Sequence, residues 1–69
     1  MTTDDVRKML LAACEEAGSQ RAWAHAHDVS PVYVNDVLGG RRSPGPAICS
    51  ALGVEAIAGE TQYRLVQQP

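Results

Sequence analysis

Apolar residues recur along the first half of the chain with a helical period. Val6, Met9, Leu10, Ala13 and Ala17 follow i, i+3, i+4, i+7 spacing and predict the buried stripe of a first helix, from about Asp4 to Ala17. Thr3 is its expected N-cap, Asp4 and Asp5 suit the positive first turn, and Gly18 supplies a left-handed stop. A second helix is predicted from Gln20 to about His27, capped by Ser19, with Trp23 and His27 one turn apart and facing inward. Ala24 then sits where two helices cross closely. Asp28 occupies a tight turn as a residue that tolerates the left-handed region, and Val29 returns to the core.

The third predicted helix opens with Ser30 as N-cap and Pro31 at its first position, where the missing N–H costs nothing. Val34, Val37 and Leu38 form its inner face, so Val32, Tyr33, Asn35 and Asp36 point outward, and Gly39-Gly40 ends it. Arg41 and Arg42 lead through Ser43-Pro44 to a fourth helix, about Pro46 to Leu52, with Ile48 and Leu52 inward and Gly53 as its stop. Thr61 to Val66 differs in kind: polar and apolar residues alternate, which predicts a single β-strand.

Length adds a constraint. A chain of 69 residues makes one small domain, and such domains bury only about 60% of their unfolded surface. The hydrophobic fraction of 45% is ordinary, but alanine supplies much of it, and Trp23, Tyr33 and Tyr63 are the only aromatics. Oligomerisation is the natural supplement to so thin a core. The longest apolar run, Met9 to Cys14, falls far short of the ~20 residues of a membrane span, and a cytoplasmic protein is expected. Cys14 and Cys49 lack Cys-x-x-Cys spacing and read as small buried hydrophobes of a reducing compartment. His25 and His27 are two apart, face different sides of a helix and cannot chelate together. No metal, cofactor or small-molecule ligand is therefore expected. No nucleophile–base pair, carboxylate dyad or phosphate-binding glycine loop is visible, which argues against an enzyme.

The net charge of −2 is not that of a typical nucleic-acid-binding domain. Its distribution changes the picture. Asp4, Asp5, Glu15 and Glu16 belong to the first helix and Glu55 and Glu60 to the C-terminal part, whereas Arg21, Arg41 and Arg42 flank the second and third helices.

Two short helices about a tight turn, the second with polar residues beside its apolar stripe, is how a helix-turn-helix is written. Over about Gly18 to Glu55 the chain resembles the Cro/repressor type of lambda repressor-like helix-turn-helix regulators. The resemblance rests on Ser19-Gln20, Ala24, Val29-Ser30, Val34, Val37, Gly40-Arg41-Arg42, Pro44-Gly45 and Leu52-Gly53. Two positions depart from that pattern: Asp28 stands where the family usually has Gly, and His27 where it has a larger aliphatic.

The resemblance implies a mainly α fold of four to five helices with a C-terminal strand. Residues 1–59 would form the DNA-binding domain around a helix-turn-helix core at 19–40, and 60–69 a dimerising tail. It implies a small transcriptional regulator, a repressor of phage type, whose third helix enters the major groove. Pro31, Val32, Asn35 and Asp36 would then read bases. Asn35 suits adenine, Val32 a thymine methyl, and Asp36 either a cytosine amino group or an internal pair with Arg41 or Arg42, the latter preferred. Ser19, Gln20, Arg21, Tyr33, Arg41 and Arg42 would hold the DNA backbone. An unpaired strand is unstable alone, so Thr61, Tyr63, Leu65 and Val66 are expected to pair with a second copy across a two-fold axis; the sequence leaves open pairing within the chain instead. The contrasting expectation is the same helix pair used to bind a protein, as in an antirepressor or adaptor; the negative charge and Asp36 motivate it.

Overall fold

The computed structural model describes residues 2–56 and 63–66. Four helices and a two-stranded antiparallel sheet follow one another: α1 (Thr3–Ala17), α2 (Gln20–Ala26), α3 (Pro31–Leu38), α4 (Pro46–Leu52), β1 (Val54–Ala56) and β2 (Tyr63–Leu65). The mainly helical class and four expected helices are present, each boundary within one or two residues of its stop and start signals.

Helix α1 begins one residue earlier than expected, because Thr2 rather than Thr3 is its cap. The Asp5 N–H donates to Thr2 Oγ1 (3.2 Å) and the Thr2 N–H returns a bond to Asp5 Oδ2 (2.9 Å), a reciprocal capping box. The buried stripe runs Val6, Leu10, Cys14, with Met9 and Ala13 half-buried beside it. Ala17, expected in that stripe, lies in the last turn and is exposed. Gly18 closes the helix at φ 104°.

Ser19 caps α2 by accepting from the Ala22 N–H at 3.0 Å. The helix stops at Ala26 with His27 as its C-cap, so His27 is exposed rather than part of the core; its ring tilts against Trp23, centroids 4.4 Å apart. Asp28 takes φ 56°, and the following Val29 N–H donates to Ala24 O at 2.9 Å, turning the chain back inward. Pro31 starts α3 as expected, although the Ser30 hydroxyl makes no capping bond.

Two apolar clusters hold the elements together. Leu10, Cys14, Trp23, Ala24, Val34, Val37 and Ile48 join all four helices, with Val29, Tyr33 and Leu38 packed on them. Val6, Cys49, Val54 and Tyr63 form the second, beneath the strand pair, and Leu52 touches both. Both cysteines are buried, free thiols, and burial pushes each thiol pKa up, as their reading as small hydrophobes requires.

The C-terminal strand departs from expectation. It was expected alone, pairing with a second copy, but β2 pairs within its own chain with β1, a strand the hydrophobic pattern did not reveal. The register sets Val54 against Leu65, Glu55 against Arg64 and Ala56 against Tyr63. Glu55 and Arg64 form an ion pair across the two strands. Tyr63, expected between two copies, is buried in the second cluster of its own chain, while Leu65 and Val66 stay exposed at 62% and 41%. Thr61 lies outside the described residues. No helix among the described residues is long and apolar enough to cross a membrane.

Candidate nucleic-acid interface

The tight turn at Asp28 sets α2 and α3 side by side, and Val34 and Val37 fix which face of α3 is inward by being fully buried. Helical geometry then turns the intervening positions outward. Pro31, Val32 and Asn35 are exposed, Val32 at 71%, and none of their side chains takes part in a hydrogen bond or ion pair among the described residues. They face the start of α2. Together Gln20, Arg21, Pro31, Val32, Asn35 and Asp36 line an open depression of about 330 Å³. The structure thus brings together all four expected base-reading residues and two of the expected backbone-binding ones. Ser19 is adjacent; its oxygen is occupied as a cap acceptor, which leaves the hydroxyl proton to donate. Arg21 is exposed and makes no ion pair with any described residue.

At the other end of α3 the charges are tied down. Asp36 Oδ1 lies 3.1 Å from Arg41 Nε, and Oδ2 lies 3.4 Å from Arg42 Nε. The backbone N–H groups of Arg41 and Arg42 also donate to the Asp36 carbonyl, at 2.9 and 3.3 Å. The internal pair preferred from the sequence is present, and it holds two arginines rather than one. The carboxylate is 23% exposed, against 62% and 64% for the arginine side chains. The guanidinium groups therefore still face solvent.

Tyr33 is corrected. It was expected to point outward to a phosphate or sugar, but it is half-buried against the first cluster, its hydroxyl resting on the backbone of Gly45. Its ring carries the Arg42 guanidinium 5.9 Å from the centroid, a cation–π contact. Its role is to support an arginine and anchor the α3–α4 connection. The reason lies in the fold: position 33 borders the inner face of α3 beside buried Val34, and the Gly45 backbone comes close enough to cover its hydroxyl.

Arg7 was missed by sequence reasoning. It reaches from α1 to donate its Nε–H to Val37 O (3.1 Å), a carbonyl in the last turn of α3 that also accepts from the Gly40 N–H, and pairs with Asp4 at 2.8 Å. No spacing rule links positions thirty residues apart, so only the packing of α1 on α3 reveals it. A larger depression, about 440 Å³, lies between α4 and the strands, lined mostly by apolar residues such as Pro44, Pro46, Val54 and Val66. Among the described residues, Cys49, Ser50 and Glu55 are the non-hydrocarbon side chains that line it. No three His, Cys, Asp or Glu side chains among the described residues come together as a metal site.

Compared with known proteins, the chain matches no family model, no curated protein and no solved structure.

Proposed function

We propose that the protein is a sequence-reading, double-stranded DNA-binding transcriptional regulator of the lambda repressor-like kind, with α2–α3 as its helix-turn-helix. One observation carries this reading. The outer face of α3 offers a methyl-rich residue, Val32, and a bidentate amide, Asn35, neither needed by the core, in a depression that Arg21 also lines and whose Asp36 holds Arg41 and Arg42. Apolar and amide groups on one helix face match the thymine methyl and adenine N6/N7 edge of the major groove. Gln20 and Arg21, and Arg41 and Arg42 beyond the other end of α3, bind backbone phosphates in this reading. The acidic residues of α1 and β1 lie on other elements, so a negative total charge is compatible with this face.

A palindromic operator read by two copies is the form we favour, with recognition helices ~34 Å apart. The exposed apolar side chains of Leu65 and Val66, at and just beyond the end of β2, support contact between copies. With Arg21, Arg41 and Arg42 engaged in both copies, about six phosphates are neutralised and the log–log salt slope approaches −5.

Selection from a random duplex pool at ~150 mM salt tests this directly. The expected result is an enriched inverted repeat with half-sites one helical turn apart. Asn35→Ala should relax the preference at one base pair, at a cost of about 1–3 kcal/mol, while Arg42→Ala should weaken binding to all sequences alike. A folded protein that enriches no sequence would point to a protein partner for the same face.

A further inference from the structure

Two glycines that bracket the Asp36 cluster have no conformational need to be glycine. Gly39 has φ −80° and ψ −4°, ordinary helical values, and Gly45 has φ −87° and ψ −179°, ordinary extended values. What each supplies is room. A β-carbon at position 39 would meet Arg41 Nη1 at 3.0 Å and Cζ at 3.2 Å, so the guanidinium lies flat on the bare backbone. A β-carbon at position 45 would collide with the Tyr33 hydroxyl, and Tyr33 carries Arg42 on its ring. The gaps at both ends thus keep two cations converged on one carboxylate, which itself lines the base-reading depression.

We propose that Asp36, Arg41 and Arg42 form an ionic latch that sets specificity by exchange of partners. This rests on the DNA-binding reading and names what the site selects. In the free protein the carboxylate holds both guanidinium groups. Asp36 holds each arginine through its Nε, so for the arginines to clasp phosphates with the Nε–Nη2 fork they must leave Asp36, and the carboxylate must find a new donor. An exocyclic amino group in the major groove, cytosine N4 above all, is that donor. A duplex without an amino group at this position leaves the carboxylate unpaired among acceptors and phosphates, a penalised arrangement. Asp36 therefore lowers affinity for non-cognate DNA and selects a cytosine in each half-site.

The test compares wild type, Asp36→Asn and Gly39→Ala, each confirmed as folded by circular dichroism. Binding to a fluorescein-labelled duplex of random sequence is measured by anisotropy between about 50 and 200 mM salt, and preferred sites are obtained by pool selection. Asp36→Asn is expected to bind the random duplex roughly tenfold more tightly, as two surface ion pairs of this kind allow, and to lose one cytosine preference. Gly39→Ala separates the latch from simple charge. It keeps the carboxylate and the net charge but sets a methyl 3.0 Å from Arg41 Nη1, so the guanidinium must give by a few tenths of an ångström; random-duplex affinity should rise, by less than in Asp36→Asn, while the cytosine preference stays. Tighter binding by Asp36→Asn alone, with Gly39→Ala unchanged, would reduce the effect to net charge and overturn the latch. So would a wild-type site with no cytosine preference. Wild type that binds duplex with the expected salt dependence but shows either of these results loses the latch and keeps the DNA-binding reading; wild type with no salt-dependent duplex binding loses both.

Discussion

At position 45 an extended backbone open to any residue is occupied by glycine, because a β-carbon would fall inside the Tyr33 hydroxyl. Gly45→Ala should therefore destabilise by about 1–3 kcal/mol, the usual cost of overpacking, although alanine is otherwise the less entropically costly residue. Removing the hydroxyl relieves most of the collision, since the ring carbon Cζ would stand at 3.3 Å and need give only a few tenths of an ångström. Urea unfolding of Gly45→Ala, Tyr33→Phe and the double variant should show the alanine cost largely rescued in the phenylalanine background; an unchanged cost would mean that something else at position 45 demands glycine. The sequence displayed Pro44-Gly45 as a helix start but not this reason for it, because nothing local says that a tyrosine twelve residues earlier lies on that backbone. The same limit applied to Tyr33 itself. Its place on the helical wheel is marginal, and the loop that covers it decides the matter.

Helix starts and stops were readable because capping is local chemistry. Gly18, Asp28, Pro31, Gly53 and Ser19 all act as their residue types suggest. The misplacement of the α1 cap by one residue has a physical origin: Thr2 and Thr3 are equivalent as sequence, and only Asp5 at the third helical position from Thr2 completes the reciprocal pair. That pair makes a prediction at the scale of the helix. The backbone N–H and hydroxyl of Thr2 hold the Asp5 carboxyl below its ordinary pKa. A depressed folded-state pKa contributes stability above the unfolded value and loses it as pH falls through the folded one. Thermal unfolding followed by circular dichroism should therefore show an acid loss of stability that is smaller in Thr2→Ala, which at neutral pH costs about 1 kcal/mol as a lost N-cap. An identical acid profile in the two proteins would remove the capping box from the account. By contrast, three-residue β1 is too short to display alternation, and its existence depends on the partner strand. Its absence from the sequence reading turned a hairpin within one chain into an expected contact between two.

For the molecule as a whole, the consequence of that hairpin is that Tyr63 stabilises its own chain. Tyr63→Ala should cost about 3 kcal/mol, in line with other buried aromatic truncations, by opening the cluster of Val6, Cys49 and Val54. The cost should be the same at every protein concentration in urea unfolding; a cost that grows on dilution would place Tyr63 between copies instead. The candidate site was more legible than the tertiary links around it. Pro31, Val32, Asn35 and Asp36 follow from the period of one helix, whereas the reach of Arg7 to α3 and the seats of Arg41 and Arg42 belong to the assembled fold. Pro31, Val32 and Asn35 are exposed, with no side-chain hydrogen bond or ion pair to any described residue. Substitution at Val32 or Asn35 thus leaves the scaffold's stability almost untouched. Under the proposed function, descendants of this chain are free to change which operator they recognise by drift at two or three codons, while selection for folding acts elsewhere.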